Sequence, residues 1–349
     1  MNLLPSFTSD WSRTRVVFGV GTIDRLAAEL DALALARVLL VVTPGRARDL
    51  SLLRSKLGDR IVDVCDGAAL HVPIERVRAA VEQVDRARPQ TLLAFGGGSA
   101  VGLAKAIALE RPLPIAVVPT TYAGSEMTSV WGITDGAKKR TGRNPAVAPR
   151  VVVYDPALTL SLPAPVSAAS GMNAVAHAVE AMYAPEASPI ALAAADDALR
   201  SLSRALPAVV ARPDSIDART LALRGAHCAG VAMEMAAMGL HHKICHVLGG
   251  TFGLPHAPTH AAVLPHVVAF NTPAAPAAMA RIAEALATDD AAIGLAALNR
   301  TLGLVTSLRT LGFDPADVDR AATLVTEQPY RSPRGASWAE VRDLLRNAL

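Results

Sequence analysis

Cysteine is scarce: Cys65, Cys228 and Cys245 are the three in 349 residues. An odd number at wide spacing excludes a disulfide framework and points to a reducing, cytoplasmic setting. Aromatic residues make up 4% of the chain, which excludes the stacking platforms that single-stranded nucleic acid needs. Neither sign of charge dominates: 34 basic against 31 acidic residues leave +3, too mild for a nucleic-acid or membrane surface. The run Lys138-Lys139-Arg140 reads either as a solvated turn or as an anion contact. No apolar run reaches the length of a membrane span, and the segment 229–240 is broken by Glu234. The first fifteen residues lack the basic-then-apolar pattern of a secretion signal. Neither G-x-G-x-x-G nor a Walker A loop occurs.

What is abundant is alanine-rich apolar sequence. Hydrophobic residues are 51% and charged residues 19%, a balance that buries a large core. The length suits two domains. In the first half, strand-like runs alternate with helical ones. A strand begins at Val16 and turns at Gly19-Val20-Gly21, and a helix follows over 22–35. Residues 37–43, 91–95 and 114–119 are continuous apolar strands, the kind buried on both faces of a parallel sheet. Residues 73–88 and 101–109 read as helices, the first opening on a proline. Beyond Tyr154-Asp155-Pro156 the apolar spacing is helical almost everywhere. The expected fold is an α/β domain with a parallel sheet over 1–160, followed by an all-helical domain over 161–349.

Two loops carry the first chemical signal. Gly96-Gly97-Gly98-Ser99 follows a buried strand and opens a helix. Glycines admit close approach of the backbone to a ligand. Ser99 is expected to cap the helix, whose first N–H groups suit a pyrophosphate. The next strand ends in a loop bearing the hydroxyls of Thr120, Thr121, Tyr122, Ser125 and Thr128. Both lie where ligands of open α/β sheets bind, at the carboxyl ends of strands. Directly after Thr43 no carboxylate follows to read a ribose hydroxyl; Pro44, Gly45, Arg46 and, shortly after, Arg48 stand there instead. NADH and NADPH therefore both remain open.

The second signal is a histidine cluster. Seven of nine histidines lie between His227 and His266. Asn173 and His177 share one helix face, as do His242 and His246, while His256 and His260 fall in a loop-like stretch. Convergent imidazoles serve a divalent metal, or proton transfer near neutral pH. His227, His241 and His266 are read as structural.

These landmarks, in this order and spacing, resemble the iron-containing alcohol dehydrogenase superfamily over nearly the full chain: Gly96-Gly97-Gly98-Ser99, Pro119-Thr120-Thr121, Tyr154-Asp155-Pro156, and His242-Lys243-Ile244-Cys245-His246 followed by Leu254-Pro255-His256. Members that carry metal hold it with an aspartate and three histidines. The matching positions are Asn173, His177, His242 and His256, so the anionic ligand is missing. Gly102 also replaces an aspartate usual there, and Tyr122 interrupts the threonine-rich loop. With these departures the chain is similar to the maleylacetate reductase subgroup. That resemblance implies reduction of maleylacetate, a small dicarboxylate, to 3-oxoadipate by NADH or NADPH, with no tightly bound metal, in a homodimer. It implies that His242 and His256 contact the enolate oxygen or a carboxylate, that His246 supplies a proton, and that Asn173 and His177 orient substrate. Gly97, Gly98, Ser99, Thr120, Thr121, Ser125, Thr128 and Thr43 would hold the cofactor, Lys139 its phosphates or a substrate carboxylate, and Tyr122 and Arg143 the substrate. If a metal binds, His177, His242 and His256 are its ligands. The competing readings are a metal-dependent alcohol dehydrogenase and a non-catalytic nucleotide sensor.

Overall fold

The structure, a computed structural model, describes residues 14–44, 47–136, 138–327 and 329–349, with the side chains of 47–49 and 138 also left undescribed. The described residues divide into two compact units, one within 14–163 with 214–223 and the other within 164–213 and 224–349.

Six strands of the first unit form one sheet: β1 (Arg15–Phe18), β2 (Val38–Val42), β3 (Ile61–Cys65), β4 (Thr91–Gly96), β5 (Ile115–Pro119) and β8 (Val151–Tyr154). Their order is β1-β8-β5-β4-β2-β3 and every pairing is parallel. β2, β4, β5 and β8 are buried at every residue, as their unbroken apolar runs predict. Helices α1 (Leu26–Ala32), α2 (Ala47–Leu57), α3 (Ile74–Ala87) and α4 (Gly98–Glu110) connect them. From β2 the chain moves outward to β3, then returns to the other side of β2 as β4. The order therefore reverses between β2 and β4, and the crevice outside their carboxyl ends is the favoured ligand site of such sheets.

The sequence did not anticipate β3, β8 or the two strands between β5 and β8. β6 (Val130–Asp135) and β7 (Lys138–Arg143) pair antiparallel as a separate hairpin, from Val130 opposite Arg143 to Asp135 opposite Lys138. The basic run 138–140 is thus strand, not turn. The landmark at Tyr154-Asp155 is structural: the buried Asp155 carboxylate accepts from the N–H groups of Gly21, Ile23 and Ala157 at 3.0–3.1 Å.

The second unit is helical among its described residues: α5 (Ala164–Met182), α6 (Pro189–Ala211), α7 (Ile216–Met235, its first turns in the first unit), α8 (Leu240–Phe252), α9 (His256–Asn271), α10 (Pro276–Ala285), α11 (Ala291–Thr301), α12 (Val318–Thr326) and α13 (Trp338–Asn347). α5 is buried from Met172 through Met182, as a helix apolar on all sides must be. Gly171 lets α6 approach it: a Cβ there would stand 2.2 Å from Leu206 Cδ2.

Candidate active site

In the first unit the register pairs Gly96 with Pro119, and the Thr120 N–H donates to the Gly96 carbonyl at 2.9 Å. The glycine loop and the hydroxyl loop are thereby neighbours. The N-cap of α4 is Gly97, with no side-chain cap. Ser99 lies inside the first turn, so the expected Ser99 cap is corrected. An uncapped helix start is the arrangement that accepts an anionic phosphate.

The two glycines differ in what constrains them. A Cβ on Gly97 would stand 2.8 Å from Thr121 Cγ2, so the protein itself demands glycine there. A Cβ on Gly98 would meet nothing nearer than Ala123 Cβ at 3.6 Å and Ser125 Oγ at 3.9 Å. Gly98 is exposed, and Ser125 Oγ is buried with no hydrogen-bond partner. This cradle, a bare helix start beside an unpartnered hydroxyl, fits a dinucleotide's phosphates. Gly98→Ala should therefore leave thermal stability unchanged while weakening NADH binding by tenfold or more, about 1.4 kcal/mol. Fluorescence titration checks it, and an unchanged Kd would remove Gly98 from the site.

The hydroxyl loop divides. Thr121 is half-buried, and Thr120 is buried. Thr128 is fully buried, and its hydroxyl donates to Ser125 O at 2.9 Å and accepts from Lys105 Nζ at 3.0 Å. Tyr122 is fully buried too, accepting from Arg219 Nη1 at 3.1 Å and donating to Thr159 Oγ1 at 3.4 Å. Both hydroxyls have partners within the protein. Thr43 follows β2 and is half-buried. Lys139, half-buried, and Arg143, exposed, lie on β7. Arg46 and the Arg48 side chain lie outside the described residues.

In the second unit α5, α8 and α9 bring six imidazoles together. Ring centroids stand 5.0 Å apart for His177–His242, 4.8 Å for His242–His260, 6.0 Å for His242–His246 and 4.3 Å for His256–His260. The last pair sits on helix, not loop: Pro255 is the N-cap of α9, which starts at His256. His241, read from sequence as outside the site, packs edge-on against His242 at 5.2 Å and His260 at 4.8 Å.

Glu180 is the residue that sequence reasoning missed. It stands seven residues after Asn173 on α5, a spacing that shares the face of Asn173 and His177 and could have found it. Its buried carboxylate accepts from the N–H groups of Gly239 and His241 at 2.9 Å and lies 2.5 Å from His242 Nδ1.

Burial sets the electrostatics. It holds His177 and His260 well below the usual imidazole range, with neighbouring histidines adding to the effect, and lowers His241 to about 4. Burial also raises the Glu180 carboxyl against the opposing influence of His241 and the backbone donors. Buried atoms without a hydrogen-bond partner are Asn173 Oδ1, His177 Nδ1, His241 Nδ1 and both ring nitrogens of His260. Such groups cost about 1–3 kcal/mol each when nothing meets them, so polar partners, water or ligand, belong here.

The donor set lacks a carboxylate at position 173. Among the described residues, two groups gather potential ligand atoms within 4.8 Å of one another: Glu180, His241 and His242, and His241, Cys245 and His260. Glu180 is already occupied by its N–H donors, and His241 Nε2 donates to the His260 carbonyl at 3.1 Å. Position 173 offers a neutral amide where a carboxylate would supply charge.

Comparison with known proteins bears on all of this. The profile of the iron-containing alcohol dehydrogenases matches residues 13–156, and that of the C-terminal region of the Fe-containing alcohol dehydrogenase family matches 167–349. A maleylacetate reductase of Sphingobium indicum is 46% identical over 96% of this chain and 95% of its own length. Maleylacetate reductase 1 of Rhodococcus opacus is 42% identical over 96% and 94%. The crystal structure of maleylacetate reductase from Agrobacterium tumefaciens superposes with a TM-score of 0.93 at 42% identity, covering 99% of this chain and 98% of that one.

Proposed function

The chain belongs to the iron-containing alcohol dehydrogenase family, and we propose that within it the protein is a maleylacetate reductase, reducing the enone double bond of 2-maleylacetate to 3-oxoadipate with NADH or NADPH. The observation that carries this reading is the neutral, unsatisfied polar lining of the histidine site, on a chain 46% identical to a maleylacetate reductase. Such a lining suits a substrate rich in carboxylate and ketone oxygens.

Gly97, Gly98, Ser99, Thr121 and Ser125 would hold the dinucleotide. When bound, it supplies hydride to the alkene carbon β to the ketone. Charge then develops on the ketone oxygen as an enolate. His242 and His256 donate hydrogen bonds to that oxygen or to an adjacent carboxylate, where preorganised donors are most effective. His246, half-buried on the same helix face as His242, protonates the α-carbon. Asn173 and His177 orient the substrate. Lys139 and Arg143 are assigned to a distal carboxylate or to the cofactor phosphates.

The same reading makes the enzyme independent of tightly bound metal, since position 173 offers a neutral amide in place of a carboxylate. It also makes it a cytoplasmic homodimer. Three free cysteines support the first of these, and the exposed Val16 and Phe18 on edge strand β1 support self-association.

The test is NADH oxidation with maleylacetate, before and after dialysis against a strong chelator with metal loss verified by elemental analysis. Turnover to 3-oxoadipate should survive chelation. Activity lost on chelation and restored by Fe²⁺ or Zn²⁺, with oxidation of simple alcohols, would return the protein to metal-dependent alcohol dehydrogenase chemistry.

A further inference from the structure

We propose that Glu180 is a positioning residue, which fixes the His242 ring with its Nδ1–H on the carboxylate and its Nε2 toward the substrate. This rests on the reductase reading above for its catalytic consequence, but its geometry stands apart from it.

Four donors converge on one buried carboxylate. The Gly239 N–H reaches Oε2 at 2.9 Å, the His241 N–H reaches Oε1 at 2.9 Å, and the Tyr183 hydroxyl reaches Oε1 at 3.4 Å. His242 Nδ1 completes the set, 2.5 Å from Oε2. Gly239 is the N-cap of α8 and, being glycine, has no side chain to cap the helix. Glu180 takes that place from α5: it binds the first N–H groups of α8 and adds negative charge where the helix dipole favours it. The helix it caps carries His241, His242, Cys245 and His246. One carboxylate therefore fixes both the start of the helix and the ring of the imidazole two residues along it.

The consequence is a choice of tautomer. A carboxylate already receiving two backbone N–H groups accepts, rather than donates, at Nδ1, so Nδ1 carries a proton. Nε2 then addresses substrate, in a ring whose torsion is held from behind, and it donates to the enolate oxygen when the ring carries a second proton, the form that a carboxylate on Nδ1 favours. His241 is anchored in parallel by its Nε2–H on the His260 carbonyl at 3.1 Å. Gly239 cannot be enlarged without disturbing this: a Cβ would stand 2.4 Å from the Arg331 carbonyl and 3.2 Å from Glu180 Oε1.

The experiment has two arms. In the first, the wild-type protein, labelled with ¹⁵N-histidine and assigned with His242→Gln, is measured for long-range imidazole couplings without substrate. A protonated Nδ1 on His242 is expected, and a bare, pyridine-like Nδ1 would overturn the proposal. In the second, Glu180→Gln keeps an acceptor at the site and removes its charge, and Glu180→Asp keeps the charge and withdraws it. Both should lower kcat for maleylacetate by about 10–100-fold, the usual cost of losing an orienting partner, with the KM for NADH unchanged. Equal loss in NADH affinity and kcat, or a kcat unchanged in a folded variant, would reduce Glu180 to a helix cap. Should wild-type enzyme fail to turn over maleylacetate, the reductase reading fails, and the NMR arm still decides the geometry.

Discussion

Replacing His242 by alanine should lower kcat for maleylacetate by about 10²–10³, the usual cost of removing one donor to a developing oxyanion. His242 occupies the middle of the cluster. Its ring stacks on His177 at 5.0 Å and meets His260, His241 and His246 edge-on. It is also the imidazole whose Nδ1 is engaged by a buried carboxylate. Its neighbours His177, His241 and His260 are held neutral by burial, and none of their rings is hydrogen-bonded to a carboxylate among the described residues, so none of them can replace it. His256→Ala should follow in the same direction, because His256 is half-buried and continues the cluster through His260. NADH affinity should stay within error in both, since the residues proposed for its phosphates belong to the other unit. Steady-state kinetics with an independent NADH titration checks this. A His242→Ala enzyme retaining more than a tenth of wild-type kcat would remove the ring from the chemistry.

The sequence made β2, β4 and β5 plain because each is an unbroken apolar run with a glycine or proline at its end, and burial on both faces leaves no other pattern. β3 was hidden by Asp63 in its middle, which an edge position tolerates. β7 was hidden more thoroughly: Lys-Lys-Arg-Thr-Gly-Arg has no apolar face to read. The helix at His256 was obscured by Pro255 and Pro258, although prolines at an N-cap and in a first turn leave no hydrogen bond broken. The histidine cluster was legible because imidazoles are rare and here recur four apart. Glu180 shares a helix face with Asn173 and His177, but its role was not legible, because only the Gly239 turn of another helix gives the carboxylate its partners. The five hydroxyls after β5 could not be sorted into cofactor contacts and structural ones from sequence, since what sorts them is a lysine on α4.

That lysine supplies the last expected result: Lys105→Met should destabilise the protein by about 3–5 kcal/mol, the range for removing one partner from a buried charged network. Lys105 is 1% exposed. Its ammonium donates to Ser125 O at 2.7 Å, Thr128 O at 2.7 Å, Thr128 Oγ1 at 3.0 Å and Val130 O at 2.9 Å. These acceptors span the whole turn between the hydroxyl loop and β6. Methionine matches the length and fills the volume, so the loss is one of hydrogen bonds and charge rather than of packing: three carbonyls lose the ammonium, and Ser125 O keeps only its donors from Thr128. Glu126, fully buried within the same turn, responds as well. Burial already raises its carboxyl, and the Lys105 charge and the Tyr154 hydroxyl at 2.8 Å hold it down. Losing the ammonium drives the carboxyl further toward its neutral form. The turn that presents Ser125 to the cradle at Gly98 should then loosen, and NADH affinity should fall although no proposed contact to NADH was altered. At about 2–4 °C per kcal/mol for a unit of this size, the melting temperature should drop by roughly 6–20 °C. Calorimetry and NADH titration on one preparation test both halves. A variant that melts within a degree or two of wild type and binds NADH normally would show that the turn is held by its backbone alone.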